Sequence, residues 1–166
     1  EAFMQEYAEE LVDRIVASVK CDLMGDVTTR YVTLVIADLL GVPPEDRVLF
    51  EERIAGGQTV GSIENSENPT AMDAVYFIAG FMAELLEERA RNPRDDLLSE
   101  LATASYPDGS KPDTADLISL STFMFVAGQD TSAKLLGNAI RYICDVPGLQ
   151  QRIREDRELL PGVIEE

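Results

Sequence analysis

The sequence has no histidine, and basic side chains are scarce: 14 lysines and arginines stand against 31 aspartates and glutamates. Histidine is the usual ligand of zinc and non-haem iron and the usual acid–base group near neutral pH, so its absence argues against those classes of site. The formal charge of −17 argues against binding to nucleic acid or to an anionic membrane surface, because both need a basic patch. We interpret the acids as solvated helix faces.

Long apolar runs and closely spaced cysteines are also missing. The longest uncharged run, residues 117–129, is shorter than the roughly 18–20 residues of a membrane span. Cys21 and Cys144 have no metal-binding spacing, so we expect reduced, small, buried side chains in a cytoplasmic protein. The first residues show no signal peptide. Because the chain neither begins with methionine nor ends on a closing element, we expect an excerpt of a longer protein.

Helical periodicity fills most of the chain, and no segment alternates as a strand does, so the sequence predicts an all-α fold. We expect Asp26 to cap the second helix and Gly41 to end it, and either Asp113 or Thr114 to cap the longest helix. The polar segment 57–69 predicts a mobile loop. The predicted helices cover residues 1–19, 28–40, 44–56, 69–91, 92–104, 113–144, and two short segments that begin at Pro147 and Pro161.

The most informative segment is Ala127-Gly128-Gln129-Asp130-Thr131, in the middle of the longest predicted helix. Burying an acid and a hydroxyl in an apolar helix is costly, and the glycine weakens the helix by about 0.8–1.0 kcal/mol relative to alanine. Several destabilising residues within one short segment indicate that function has been favoured over stability there. Phe123 lies on the same helical stripe as the alanine and the threonine, with Val126 beside it.

Two interpretations of this segment are open from the residues alone. Thr131 is expected to bond the carbonyl of Ala127 and open the helix locally, which would make Asp130 and Thr131 a proton relay beside a cavity. Alternatively, the segment is a kinked core helix in which the threonine satisfies itself and the aspartate reaches solvent or an arginine.

The same five residues, 127–131, resemble the oxygen-activation motif of the cytochrome P-450 haem-thiolate monooxygenases, (Ala or Gly)-Gly-x-(Asp or Glu)-Thr. Residues 39–46 resemble the junction after the E helix of bacterial members, and 92–98 resemble the start of the H helix. Residues 147–150 and 160–166 resemble the J helix and the approach to the K helix. These blocks occur in family order. The resemblance therefore implies the central part of that fold, from the D helix to the first turn of K around a long apolar I helix, with residues 1–166 forming an incomplete single domain.

The resemblance also implies roles. The parent protein would carry heme b and use dioxygen, with electrons from a ferredoxin-type or flavin partner, to oxidise a small apolar organic substrate. The loop at 57–69 would join the F and G helices over the substrate. Asp130 would gate protons and Thr131 would hydrogen-bond the activated oxygen. The remaining implied roles are an oxygen-admitting groove at Ala127 and Gly128, substrate contacts at Phe123 and Val126, and the structural glutamate of a Glu-x-x-Arg pair at Glu166.

Neither Cys21 nor Cys144 has the flanking residues of the family's haem-ligating loop. We therefore expect the 166 residues alone to bind no haem and to be inactive, and the uncovered apolar surface could make them dimerise. A different class of protein is also compatible with the sequence: a free-standing acidic helical module that binds a protein or an apolar ligand and has no enzymatic activity.

Overall fold

The computed structural model describes residues 2–18, 20–54 and 69–165, and in these ranges it contains helices and no strand. This confirms the predicted all-α class. Short turns of other helix types precede three of the α-helices: a π-helical turn at Leu23–Thr28 and 3₁₀ turns at Pro44–Asp46 and Arg157–Leu159. The predicted loop at 57–69 lies, apart from its last residue, outside the described residues. The α-helices are α1 (Ala2–Val16), α2 (Thr29–Leu40), α3 (Arg47–Ile54), α4 (Pro69–Arg91), α5 (Leu97–Thr103), α6 (Thr114–Asp145), α7 (Leu149–Glu155) and α8 (Leu160–Glu165).

The core lies where α2 and α4 pack against α6. At its centre the fully buried Phe50 of α3 meets Phe81 edge-on, with ring centroids 4.8 Å apart, and Phe125 of α6 at 5.4 Å. Aromatic pairs at such distances add to the stabilisation that burial of their apolar surface gives. These contacts fix one face of α6 inside the protein. Aliphatic side chains complete the buried cluster: Ala37, Leu40, Val42, Ile78, Met82, Leu85, Leu86 and Leu98.

Gly41 ends α2, as the sequence predicts, in a left-handed conformation with φ of 90°. A side chain there would be blocked as well as strained, because a Cβ would lie 2.5 Å from Oδ2 of Asp96. The same corner holds Arg89, which is buried and donates to the Gly41 carbonyl at 2.8 Å and to Asp96 Oδ2 at 2.6 Å. This arginine thereby ties the end of α2 to the start of α5.

The structure corrects two predicted helix starts. Helix α5 begins at Leu97 and not at 92, because Asp96 accepts a hydrogen bond from the backbone N–H of Ser99 at 2.8 Å and caps the helix there. Asp26 does not cap α2; it lies within the π-helical turn, which Asp22 caps by accepting from the Met24 N–H. Asp26 instead accepts from the Asp22 N–H at 2.8 Å.

Both cysteines are exposed free thiols, so the predicted burial of Cys21 and Cys144 is wrong. Cys21 precedes the π-helical turn and Cys144 lies in the last turn of α6. Neither position belongs to a buried cluster. None of the helices in the described ranges has the combined length and apolarity needed to cross a bilayer.

Candidate functional site

The site is carried by α6, a helix of 32 residues and therefore about 48 Å long. Of the two cap candidates, Asp113 and Thr114, Asp113 caps the helix by accepting from the Ala115 N–H at 2.8 Å. The segment Ala127–Thr131 lies near the middle of the helix and does not interrupt it. The predicted local opening is therefore absent, and the π-helical turn of the described chain lies before α2 instead.

One exposed face of α6 carries a line of uncharged side chains, with the charged Lys134 beside them. We call the residues Leu120, Phe123, Ala127, Thr131 and Leu135 the outer stripe, since each lies three or four residues from the next. Phe123 is 65 % exposed and Leu135 is 63 % exposed. Large apolar groups at this exposure in the middle of a long helix indicate a surface that another group covers in the intact protein.

Thr131 supplies the one hydroxyl of the outer stripe, between Ala127 and Leu135. Its Oγ1 donates to the Ala127 carbonyl at 2.9 Å, which is the bond predicted from the sequence. The lone pairs of Oγ1 stay available on the exposed side of the helix, because donating uses the hydroxyl proton alone. Thr131 can therefore accept a hydrogen bond from a molecule lying against the stripe.

Asp130 lies at the edge of the same face and has a different environment. It is only 8 % exposed, and its Oδ2 accepts from Lys134 Nζ at 2.7 Å. The half-exposed lysine connects this carboxylate to the solvent side of the helix. Oδ1 has no hydrogen-bond partner among the described residues. Asp130 and Thr131 thus make separate hydrogen bonds in this structure and are not bonded to each other.

Lys134 is a site residue that the sequence reasoning missed. It follows Asp130 by four residues, the spacing at which an acid and a base on a helix meet, and this signal could have identified it. The partner expected in the alternative interpretation was solvent or an arginine. The observed partner is a lysine on the same helix.

The other predicted site residues divide between the outer stripe and the interior. Ala127 lies half-buried on the stripe. Gly128 instead faces α2, where a Cβ would lie 3.1 Å from Ile36 Cδ1. Val126 packs against the buried core and does not lie on the stripe. The geometry therefore brings together Phe123, Ala127 and Thr131, with Asp130 beside them. Glu166 lies outside the described residues.

The outer stripe fits the distal side of a haem in its chemistry. A haem presents a broad apolar surface, and the stripe offers aliphatic and aromatic side chains and a single hydroxyl, while Lys134 on the same face is paired with Asp130. The described residues do not supply a cysteine ligand for that haem at the stripe. Cys144 is thirteen residues, or about 20 Å along the axis, from Thr131, and Cys21 lies in a cavity beside Arg14 and Arg30. The described residues contain no cluster of three metal-ligating side chains.

The sequence is similar to those of known bacterial cytochromes P450. Cytochrome P450 144 of Mycobacterium tuberculosis is 32 % identical over 169 residues, which cover 98 % of this chain and 38 % of that protein. The cytochrome P450 monooxygenase PikC of Streptomyces venezuelae is 30 % identical, with 98 % of this chain and 38 % of that protein covered. No protein-family model matches the chain.

Solved structures give the same result for the fold. Mycobacterium marinum cytochrome P450 CYP150A6 in its substrate-free form superimposes with a TM-score of 0.81 at 37 % sequence identity, covering 99 % of this chain and 36 % of that structure. A mutant of CYP105P1 superimposes with a TM-score of 0.85 at 28 % identity, with 99 % and 41 % covered. The chain spans about two fifths of the length of the relatives it matches. By sequence and by fold along its whole length, this chain belongs to the bacterial cytochromes P450.

Proposed function

We propose that the protein containing these residues is a haem-dependent monooxygenase that activates dioxygen and oxidises a small apolar organic substrate. The observation that supports this most directly is the position of Thr131. Its hydroxyl lies on the outer stripe between Ala127 and Leu135, while the acid next to it in sequence is held at the edge of that stripe. The names of related proteins, among them the Vitamin D(3) 25-hydroxylase of Pseudonocardia autotrophica, support the same reaction class.

The residues of this chain supply proton handling and an apolar wall. Thr131 accepts a hydrogen bond at Oγ1 from a protonated group bound against the stripe, since its own proton is engaged with Ala127. Asp130 holds or releases a proton at its carboxylate, and Lys134 connects it to solvent. Phe123 presents its exposed ring to the substrate and excludes water. Val126 supports that wall from behind, through its packing in the core.

The haem, when bound, supplies the binding and reductive activation of dioxygen. The thiolate and the docking surface for a ferredoxin-type or flavin redox partner would come from other parts of the protein, because neither Cys21 nor Cys144 has the flanking residues of the family's haem-ligating loop. For this reason we propose that residues 1–166 alone bind no haem and are inactive. The roles of Gly128 in the groove and of Glu166 in a Glu-x-x-Arg pair, the cytoplasmic location, and a dimer formed through the apolar surface also stay predictions.

The decisive experiment starts from the complete reading frame. We expect its product to show the carbon monoxide difference band of a reduced haem thiolate. In that protein, Thr131→Ala should lower coupled product formation by about tenfold or more and divert the consumed electrons to peroxide, because the proton-directing hydroxyl is lost. Asp130→Asn should slow turnover itself.

Ser132→Ala is the matched control, since Ser132 is an exposed hydroxyl one residue further on, about 100° around the helix from Thr131. This control should keep coupling at the wild-type level. Coupled product formation at the wild-type level in Thr131→Ala would refute the role of Thr131. A purified full-length protein without the haem-thiolate band would refute the proposed function as a whole.

A further inference from the structure

We propose that the cavity between the end of α1 and the start of α2 binds a small polyanion that carries phosphate or carboxylate groups. The cavity has a volume of about 340 Å³, which lies within the range of about 300–1,000 Å³ that small-molecule sites occupy. Its lining comes from both helices and from the connection between them, and does not include the outer stripe or Asp130. The inference is therefore independent of the proposed monooxygenase function.

The lining of this cavity is basic, although the chain as a whole is strongly acidic. Arg14, Lys20 and Arg30 contribute positive charges, and Asp26 is the one acid among the described residues of the lining. The whole chain has 14 basic side chains against 31 acids, so the cavity reverses the general ratio. Asp26 also has a partner in the backbone, since its Oδ2 accepts from the Asp22 N–H at 2.8 Å. The excess of positive charge complements an anion.

The overall charge of −17 does not prevent an anion from entering this cavity. At physiological ionic strength, exposed charges further than about 8 Å from the anion are largely screened. Charges that line a cleft act at shorter range, and the walls of the cleft focus their field. The helix dipoles oppose each other, because α1 ends beside the cavity and the helical run from Leu23 begins beside it. The basic side chains therefore decide the sign of the local potential.

The two arginines decide which kind of anion fits. A guanidinium presents a planar fork of donors that matches a carboxylate or a phosphate with two parallel hydrogen bonds. It has five N–H donors, so it can bind an anion and keep a contact within the fold at the same time. Arg14 lies in the last turn of α1, and the half-buried Arg30 lies in the first turn of α2. An anion with more than one such group can therefore bind both helices.

The thiol of Cys21 reports whether the cavity is occupied. Cys21 is an exposed free cysteine and lines the same cavity as the basic side chains. An anion held between Arg14 and Arg30 covers this thiol and slows its reaction with a reagent from solution. Cys144 is also an exposed free cysteine, but it lies in the last turn of α6 and does not line this cavity. The two thiols thus give a site and a control within one molecule.

The test labels the thiols of the complete protein with iodoacetamide, an uncharged reagent, and follows the peptides of Cys21 and Cys144 by mass spectrometry. Pyrophosphate is the phosphate probe and citrate the carboxylate probe, each compared with sodium chloride at the same ionic strength. A probe at twice its dissociation constant should slow labelling of Cys21 about threefold and leave Cys144 unchanged. Protection by both probes supports a general polyanion site, and protection by one alone assigns the site to that chemical group.

Arg30→Gln should weaken this protection by about tenfold or more, because charge-assisted hydrogen bonds to the anion are lost. Arg154→Gln is the matched control, since it makes the same charge change on α7, and it should keep the protection. If circular dichroism shows that Arg30→Gln does not fold, Lys20→Gln removes a charge from the exposed connection instead. Absence of protection by either probe, or equal protection in the cavity variant and the control, would overturn the inference. A Cys21 that is not labelled at all would also overturn it, because the cavity would then be covered in the complete protein.

Discussion

At the scale of single residues, the Asp-Thr pair is divided between two environments by one step along the helix. Successive residues project about 100° apart, which places Thr131 on the exposed face and Asp130 at the border of the buried one. The hydroxyl can contact a molecule on the outer stripe, while the acid is shielded and bound to Lys134. Thr131 can therefore contact a molecule on the outer stripe while Asp130 stays connected to solvent through Lys134.

Lys134→Gln tests the contact between this lysine and Asp130. We expect a loss of about 1–2 kcal/mol in the free energy of unfolding, because the change removes a charge-assisted hydrogen bond from an almost buried carboxylate. Denaturant unfolding of the complete protein measures it. Arg141→Gln is the matched control: its i,i+4 pair with Asp145 is exposed at both ends and should contribute only about 0.3–0.5 kcal/mol. If the two variants lost the same free energy of unfolding, burial of the Asp130 carboxylate would not strengthen its ion pair with Lys134.

At the scale of helices, the packing of α2 on α6 depends on glycines that a pattern of apolar residues does not explain. Gly128 and Gly137 lie more than two turns apart on α6 and face the side chains of Ile36 and Met24. Each costs helix stability of about 0.8–1.0 kcal/mol relative to alanine. Their benefit is the close approach of the two helices, which shields Gln129 between them.

Alanine substitutions should separate the two glycines. Gly128→Ala should be close to neutral, because the added methyl group meets only the Ile36 side chain, at Cδ1 (3.1 Å) and Cγ1 (3.9 Å), and the gain in helix propensity offsets this crowding. Gly137→Ala should destabilise by about 1–3 kcal/mol, because its methyl group would overlap Met24 Sδ and force that side chain to move. Thermal unfolding of the two variants checks the order. A Gly137→Ala protein as stable as Gly128→Ala would mean that Met24 can be displaced without cost.

The start of α5 predicts a dependence of stability on acid. Burial raises the pKa of Asp96, but hydrogen bonds from Ser99 and Arg89 outweigh it, so the pKa lies below its ordinary value. A lowered pKa in the folded state stabilises the protein above the unfolded value of about 3.9, and this contribution is lost as the pH falls through the folded pKa. Asp96→Asn should therefore cost stability at pH 7 and have a weaker pH dependence below about pH 4.

Urea unfolding at pH 7 and at about pH 3 measures both effects. The variant can still cap α5 through its new amide side chain, because asparagine is as good a cap as aspartate, so the difference reports the charge and not the cap. Asp113→Asn is the control, since Asp113 also caps a helix but has no ion pair among the described residues. If the free energy of unfolding changed with pH to the same extent in the wild type and in Asp96→Asn, the proposed stabilisation of the Asp96 carboxylate by Arg89 would be wrong.

Sequence reasoning predicted most elements and only part of the site, for physical reasons. Apolar periodicity and the signals at Gly41 and Asp113 are local, so most helices and the Thr131–Ala127 bond could be predicted. Contacts between helices could not be predicted, because they join residues far apart in the sequence. Gln129 and Thr33, for example, are 96 positions apart. The true start of α5 was missed because Asp96 competes with Asn92 as a cap, and Arg89, folded back from α4, favours Asp96.

At the scale of the whole molecule, an acidic surface and an uncharged outer stripe coexist. The formal charge is −17, yet Leu120, Phe123, Ala127, Thr131 and Leu135 form an uncharged line along α6. A stripe of this kind on an otherwise charged protein indicates a covered surface. Together with the fold, this stripe supports our proposal that this side of α6 faces the haem and the substrate in the complete protein.

The outer stripe should be measurable in the 166-residue chain by its binding of a hydrophobic fluorescent dye. Phe123→Ser combined with Leu135→Ser should lower dye fluorescence by about half or more, because the two most exposed apolar side chains of the stripe are removed. Leu39→Ser with Val48→Ser is the matched control, since these side chains are 62 % and 60 % exposed on other helices. Far-ultraviolet circular dichroism must show equal helix content in all three proteins. Equal dye loss in both double variants would mean that the stripe is not a distinct apolar surface, and the interpretation of α6 as a haem-facing helix would lose its structural support.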